Sequence, residues 1–148
     1  MACLKCVGEI AISTQVRAEL RRHAVHDAVL QLFDGLIQVE RVTLSEIGAQ
    51  RDRLQGSGLH KADLSTVALV ERLRPNVVLT DDLQLRKALE TQGHKVVGSV
   101  GVMVRAFSCG IINKAELQTA IDELLDGSSL YTSKAFRKHV HDLLDSID

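Results

Sequence analysis

Aromatic side chains are nearly missing from this sequence, which has no tryptophan, one tyrosine and three phenylalanines among 148 residues. That scarcity argues against a platform that binds nucleic acid by stacking bases on rings. Charge of one sign is also lacking. Lysine and arginine number 18 against 19 aspartates and glutamates, a formal net charge of −1. No global field draws in nucleic acid, so any such role must rest on local patches. No apolar run approaches membrane-spanning length, and the N-terminus lacks the apolar core of a secretory signal. The expectation is a cytoplasmic chain with no membrane partner. Cysteine is sparse and odd in number: Cys3, Cys6 and Cys109 do not make a disulfide framework. Cys3 and Cys6 form a CxxC, but no second CxxC or histidine pair follows at zinc-finger spacing. Neither the zinc nor the redox pattern is complete, and the three read as ordinary buried or terminal thiols.

What remains is ordinary for a globular protein, 45% hydrophobic and 25% charged. One domain over residues 1–148 is expected, large enough for a real core. Along the chain, strands and helices alternate. Glu9–Ser13 reads as a short strand, after which Ser13 or Thr14 caps a long helix carrying Val16, Leu20, Ala24, Ala28 and Leu32 toward Gly35. Leu36 to Val42 reads as a strand. Thr43 and Glu46 have capping-box spacing for a helix that ends before Gly56–Ser57–Gly58. A helix over Lys61 to Leu73, a strand from Val77 to Thr80, a helix from Leu83 to Gly93 and a strand from Lys95 to Gly98 follow. The rest is helical: Ser99 can cap one helix, Asn113 with Glu116 a second, and Ser133 a third that reaches Ile147. This order predicts an α/β fold in three layers, with a mainly parallel twisted sheet flanked by helices. The strands at Ile10, Ile37, Val78 and Val96 are expected to share that sheet.

Four carboxylates stand out. Asp81 and Asp82 end the apolar run Val77–Thr80, and in open α/β sheets ligand chemistry gathers where strands end. Glu19 and Asp63 each lie near the start of a helix. Singly, each is explained as a helix cap or a charge that suits the helix dipole. Jointly, acids meeting at one sheet edge would repel unless a hard cation neutralised them.

At the same residues the chain resembles the PIN-domain family. Val16–Arg17–Ala18–Glu19–Leu20 looks like its second acidic motif. His60–Lys61–Ala62–Asp63–Leu64, with Val67–Ala68–Leu69, resembles the third, and Val77–Asp82 the strand that ends in the fourth. Val97–Met103 with Arg105–Ala106, and Ser128–Ser129–Leu130–Tyr131, suit a prokaryotic, especially archaeal, subgroup. The resemblance spans nearly all of residues 9–147. It implies a metal-dependent endoribonuclease in which acids bind Mg²⁺ or Mn²⁺ and a metal-activated water attacks the phosphodiester. Transferred residue by residue, Glu19, Asp63 and Asp82 would be catalytic ligands, with Asp81 a weaker metal candidate. Ser99 would contact metal-bound water or phosphate, although helix capping also explains it. Independently of the resemblance, Arg17, Arg21 and Arg22 form a local basic stretch that suits RNA phosphates, with Arg17 and Arg21 the candidate contacts, although a solvated helix face also explains them.

One departure bears on activity. The family opens with a strand that ends in a first Asp, whereas the eight residues before Glu9 contain none. The expectation is a truncated N-terminal strand, with the true start upstream or a degenerate relative of the family. Loss of one ligand should weaken metal affinity, and exposed sheet edges should favour a homodimer. Three readings stay open: a weakened ribonuclease, including the toxin of a toxin–antitoxin pair with an antitoxin partner; a catalytically inactive nucleic-acid or protein binding module; and a receiver-type phosphoacceptor. The last is disfavoured because its early acidic pair is missing and no lysine follows the strand at Gly98.

Overall fold

The computed structural model describes residues 2–22, 36–127 and 133–146. Its contacts divide into two compact units, Glu9–Val96 and Met1–Gly8 together with Val97–Asp148. The larger unit is α/β. Strand β1 (Ile10–Ser13) leads directly into helix α1 (Thr14–Arg22), and β1 pairs in parallel with β2 (Ile37–Glu40), Ile10 opposite Ile37 and Ser13 opposite Glu40. Then come α2 (Leu44–Arg53), α3 (Lys61–Leu73), β3 (Val78–Leu79), α4 (Leu83–Thr91) and β4 (Val96–Val97). The extension of the first helix through Ala24, Ala28 and Leu32 lies outside the described residues.

Helix α3 is the spine of this unit. Its Ala62, Leu64, Ser65, Val67, Ala68, Leu69 and Val70 are all buried, as befits a helix that is apolar nearly all round. One side joins Val42 and Ile47, with Ala11 packed against them. The other joins Val78, Leu85 and Leu89. Two small cores therefore share one helix. The strands follow the same division. Among the described residues they form two two-stranded sheets, β1 with β2 and β3 with β4, rather than the single sheet expected. β3 and β4 are two residues each and expose few backbone groups from which to extend a ladder, so α3 rather than a continuous sheet joins the halves.

Local signals in the sequence account for most boundaries. Thr43 and Glu46 form the capping box expected: the Thr43 N–H donates to Glu46 Oε2 at 2.7 Å and the Glu46 N–H to Thr43 Oγ1 at 3.2 Å. Glu46 Oε1 also accepts from Arg72 at 2.9 Å, and Arg72 reaches Glu40 at 3.2 Å and the Arg41 carbonyl at 3.0 Å. One guanidinium on α3 thus ties the end of β2 to the start of α2. Gly93, at φ +84, stops α4 in a conformation that suits glycine.

Burial at the end of β1 is polar. Ser13 and Ser65 are 1% and 0% exposed, and their hydroxyl oxygens are 2.7 Å apart. Ser65 donates to the Ala62 carbonyl at 2.6 Å. Its single proton is therefore committed, and Ser13 must be the donor to Ser65. The Ser13 oxygen in turn accepts the Val16 N–H at 3.1 Å, which caps α1 as the sequence suggested. Every hydrogen-bonding demand of this buried pair is met.

The second unit is helical. Residues Ala2–Cys6 form a 3₁₀ turn, followed after the larger unit by α5 (Ser99–Ser108), α6 (Lys114–Gly127) and α7 (Lys134–Asp145). Leu117, Ile121 and Leu125 of α6 pack with Val140 and Leu144 of α7, and Val100, Met103, Val104 and Phe107 of α5 join them. Asn113 and Glu116 cap α6 reciprocally, at 2.8 and 3.0 Å. Ser99 is not a cap: Gly98 holds the N-cap position and Ser99 is the first helical residue. Ser133 takes the N-cap position of α7 without a side-chain capping bond. Ser128–Tyr131 and Ile147 lie outside the described residues.

Two stability outcomes follow. Ser65→Ala should cost ~1–3 kcal/mol in urea unfolding, because Ser13 is left buried without its acceptor; the Ser13→Ala, Ser65→Ala double variant should cost less than the sum of the singles. Glu46 is held below the ordinary glutamate range by the Thr43 N–H and hydroxyl, with Arg72 adding to the effect. A depressed carboxyl stabilises the fold above its unfolded pKa and loses that contribution as pH falls through the folded value. Urea midpoints of wild type and Glu46→Gln should therefore differ near neutrality and converge at acid pH.

Candidate functional site

Helix α1 presents two faces. At about 100° per residue, Val16 and Leu20 fall on one side, while Thr14, Ala18, Arg22, Gln15 and Glu19 fall together on another. That second face forms one wall of a cleft of about 220 Å³ in the larger unit, and Lys61 and Ala62 of α3 form the other. The cleft is fixed from below by the Ser13–Ser65 pair, which joins the entry to α1 to the first turn of α3. It is fixed from the side by Gln15, whose amide donates to the Val42 carbonyl at 3.0 Å.

The first residues of two helices, Thr14 and Lys61, line the same space. Helix N-termini carry unpaired N–H groups and a partial positive charge. Arg22 and Lys61 add two full positive charges, and Glu19 one negative. The arrangement suits an anion, and a carboxylate stands beside the place that anion would occupy.

The acids singled out from the sequence do not share one position. Glu19 is exposed on the cleft wall. Asp63 is half-buried, and its Oδ2 accepts the His60 N–H at 2.9 Å. Asp82 is exposed and caps α4, with Oδ1 accepting the Leu85 N–H at 2.7 Å and its own N–H donating to Thr80 Oγ1 at 3.1 Å. Asp81 is half-buried beside it. Arg86, which the sequence reading passed over, donates to the Thr80 and Val96 carbonyls at 3.4 Å each. A cation of the protein itself thus sits where β3 and β4 end, just before the Asp81–Asp82 pair.

Among the described residues, no three His, Cys, Asp or Glu side chains come together as a group that could hold a metal ion. A hard divalent cation is built from about six oxygens, and Asp63 and Asp82 each direct a carboxylate oxygen at a backbone N–H. As arranged here, the described acids do not fit a metal held by three protein ligands.

The basic stretch Arg17, Arg21 and Arg22 is divided by the helix, and the two expected phosphate contacts, Arg17 and Arg21, fall on the other side. Neither lines the cleft, while Arg22 does. Ser99 belongs to the helical unit. Lys61 was missed, although a signal was available: a cation at the first position of a helix opposes the dipole, which marks a place where an anion would relieve the conflict.

A PIN-domain family model matches residues 2–146. The chain belongs to the PIN-domain family. That family is nuclease-like in general character and generally binds nucleic acid. Its members generally use divalent metal ions. No curated protein and no solved structure matches this PIN-domain chain. Among the described residues, no helix is long and apolar enough to cross a membrane.

The geometry separates the acids by experiment. Asp82→Ala should lower stability by about 1 kcal/mol through loss of the α4 cap, whereas Asp82→Asn, which can still cap, should cost little. Glu19→Gln, on an exposed wall, should unfold within about 0.5 kcal/mol of wild type. Urea unfolding of the three variants checks the set.

Proposed function

We propose that this PIN-domain protein binds RNA by its phosphate backbone in the cleft between α1 and α3, and cleaves it weakly as an endoribonuclease when Mg²⁺ or Mn²⁺ is supplied. The observation that carries the binding half is the cleft itself: two helix N-termini, Arg22 and Lys61 face one space in a chain with no net positive field to offer. Local cations are what a phosphate contact requires under those conditions. The cleavage half rests on family membership and on Glu19, the acid that lines the cleft. Low activity follows from the absence, among the described residues, of a three-ligand acid group. The same observation favours a second reading, a binding module that does not cleave. The homodimer remains part of this proposal, supported by exposed Leu36 and Val39 at β2 and Leu44 just beyond it. The toxin–antitoxin setting and a cytoplasmic location rest on family resemblance and composition alone.

Fluorescence anisotropy with single-stranded RNA tests binding, and gel analysis of the same RNA with Mn²⁺, Mg²⁺ or EDTA tests cleavage. Arg22→Ala and Lys61→Ala should each weaken binding and reduce the salt slope by roughly 0.7, the value for one lost phosphate contact on a single strand. Glu19→Gln should keep binding and lose cleavage. Binding without cleavage in any metal would select the module reading. EDTA-resistant cleavage, or binding indifferent to Arg22 and Lys61, would place the chemistry elsewhere.

A further inference from the structure

The CxxC at the start of the chain has no part in the cleft, yet its geometry is that of a closable pair. Ala2–Cys6 is a 3₁₀ helix, in which residues i and i+3 eclipse and three residues rise ~6 Å. Cys3 and Cys6 therefore stand one above the other, with a Cα separation inside the roughly 4.4–6.8 Å window that a disulfide requires. Both are free thiols and half-buried. The Cys6 thiol donates to the Cys3 backbone carbonyl at 2.8 Å, which holds its side chain back along the turn. The turn is anchored within the helical unit, where Arg105 Nε donates to the Cys6 carbonyl at 3.1 Å and Cys6 Sγ approaches the Val102 carbonyl at 4.0 Å. The third thiol, Cys109, is exposed at the end of α5.

We propose that Cys3 and Cys6 form a reversible dithiol–disulfide pair, a modification site whose co-reactant is hydrogen peroxide or an organic hydroperoxide. Burial first, and the nearby Cys109 second, push the Cys6 thiol up. In the proposed step Cys3 is the attacking sulfur and Cys6 the resolving one. The Cys3 thiolate attacks the peroxide: an S–O bond forms, the O–O bond breaks, and hydroxide (or alkoxide) leaves to take up the proton Cys3 gave. The Cys6 sulfur then attacks the Cys3 sulfenic acid. The S–S bond forms, the S–O bond breaks, and water departs with the Cys6 proton. Two thiols are oxidised by two electrons and one peroxide is reduced.

The test uses the full chain, reduced with dithiothreitol, desalted and exposed to a small excess of hydrogen peroxide. Titratable thiols should fall from three to one, with Cys109 still open to alkylation, and dithiothreitol should restore all three. Trypsin cuts after Lys5, so the bridge appears as peptide 1–5 linked to peptide 6–17. Cys109→Ser should close as wild type does, while Cys6→Ser should stop at a sulfenic acid trapped by dimedone. The unmutated chain carries the mapping, so the result does not depend on any variant folding. A Cys6–Cys109 bridge, disulfide-linked dimers, or over-oxidation without a bridge would overturn the proposal.

Discussion

The hydrogen bond between Ser13 and Ser65 fixes most of what the larger unit can do. It joins the last residue of β1 to the first turn of α3, and the same Ser13 oxygen caps α1. A buried hydroxyl without a partner costs a few kcal/mol at most, but here three requirements are met by two side chains, so the geometry has little freedom. Helix α1 must leave β1 at the angle that lets the Val16 N–H donate to the Ser13 oxygen, and α3 must start where Ser65 can reach both Ser13 and Ala62. The cleft between α1 and α3 is the space that these constraints leave open. Thr14 and Lys61 face it because each is the first residue of its helix.

Charge is handled locally throughout the unit. Arg72 holds Glu40 and Glu46 where β2 passes into α2, and Arg53 pairs with Glu71 between α2 and α3. Arg86 spans the ends of β3 and β4. Exposed ion pairs of this kind contribute little each to stability. Their consequence is positional: the acids nearest the strand ends already have helix N-termini or guanidinium groups near them, so an added cation is not needed to relieve repulsion. The cleft is different, since Arg22 and Lys61 both face it. In a chain of net charge −1, that is a local field of the sign that attracts phosphate.

The helical unit follows a separate logic. Its core is a set of three leucines, one isoleucine and one valine from α6 and α7 closed by one face of α5, all at helical spacing. On α5, Val102 and Arg105 meet the 3₁₀ turn that carries Cys3 and Cys6. A short segment with no apolar run of its own is thus ordered by packing and by a guanidinium bond. The CxxC acquires a defined separation only through that ordering.

Local chemistry wrote much of the structure in advance. Capping residues Ser13, Thr43, Asp82 and Asn113 set helix starts because their oxygens satisfy N–H groups a few residues away, and α3 was legible to the residue because its ends and its apolar face are both local patterns. The family, too, was legible, since ordered motifs survive in the chain itself. Relations between distant residues were not. Nothing in the alternation of strands and helices said that four short strands would pair two by two, because pairing depends on which segment each helix packs against. Capping and metal binding draw on the same carboxylates, so the sequence could not say that Asp63 and Asp82 would turn an oxygen to the backbone. Nor could it say which of Arg17, Arg21 and Arg22 would line the cleft with Lys61, because that choice is made by the rotation of α1 that turns the half-buried Val16 and Leu20 away from it. Local patterns along the chain set most of the elements and marked the family; which side chains share a cleft came from tertiary packing, through long-range contacts such as Ser13 with Ser65.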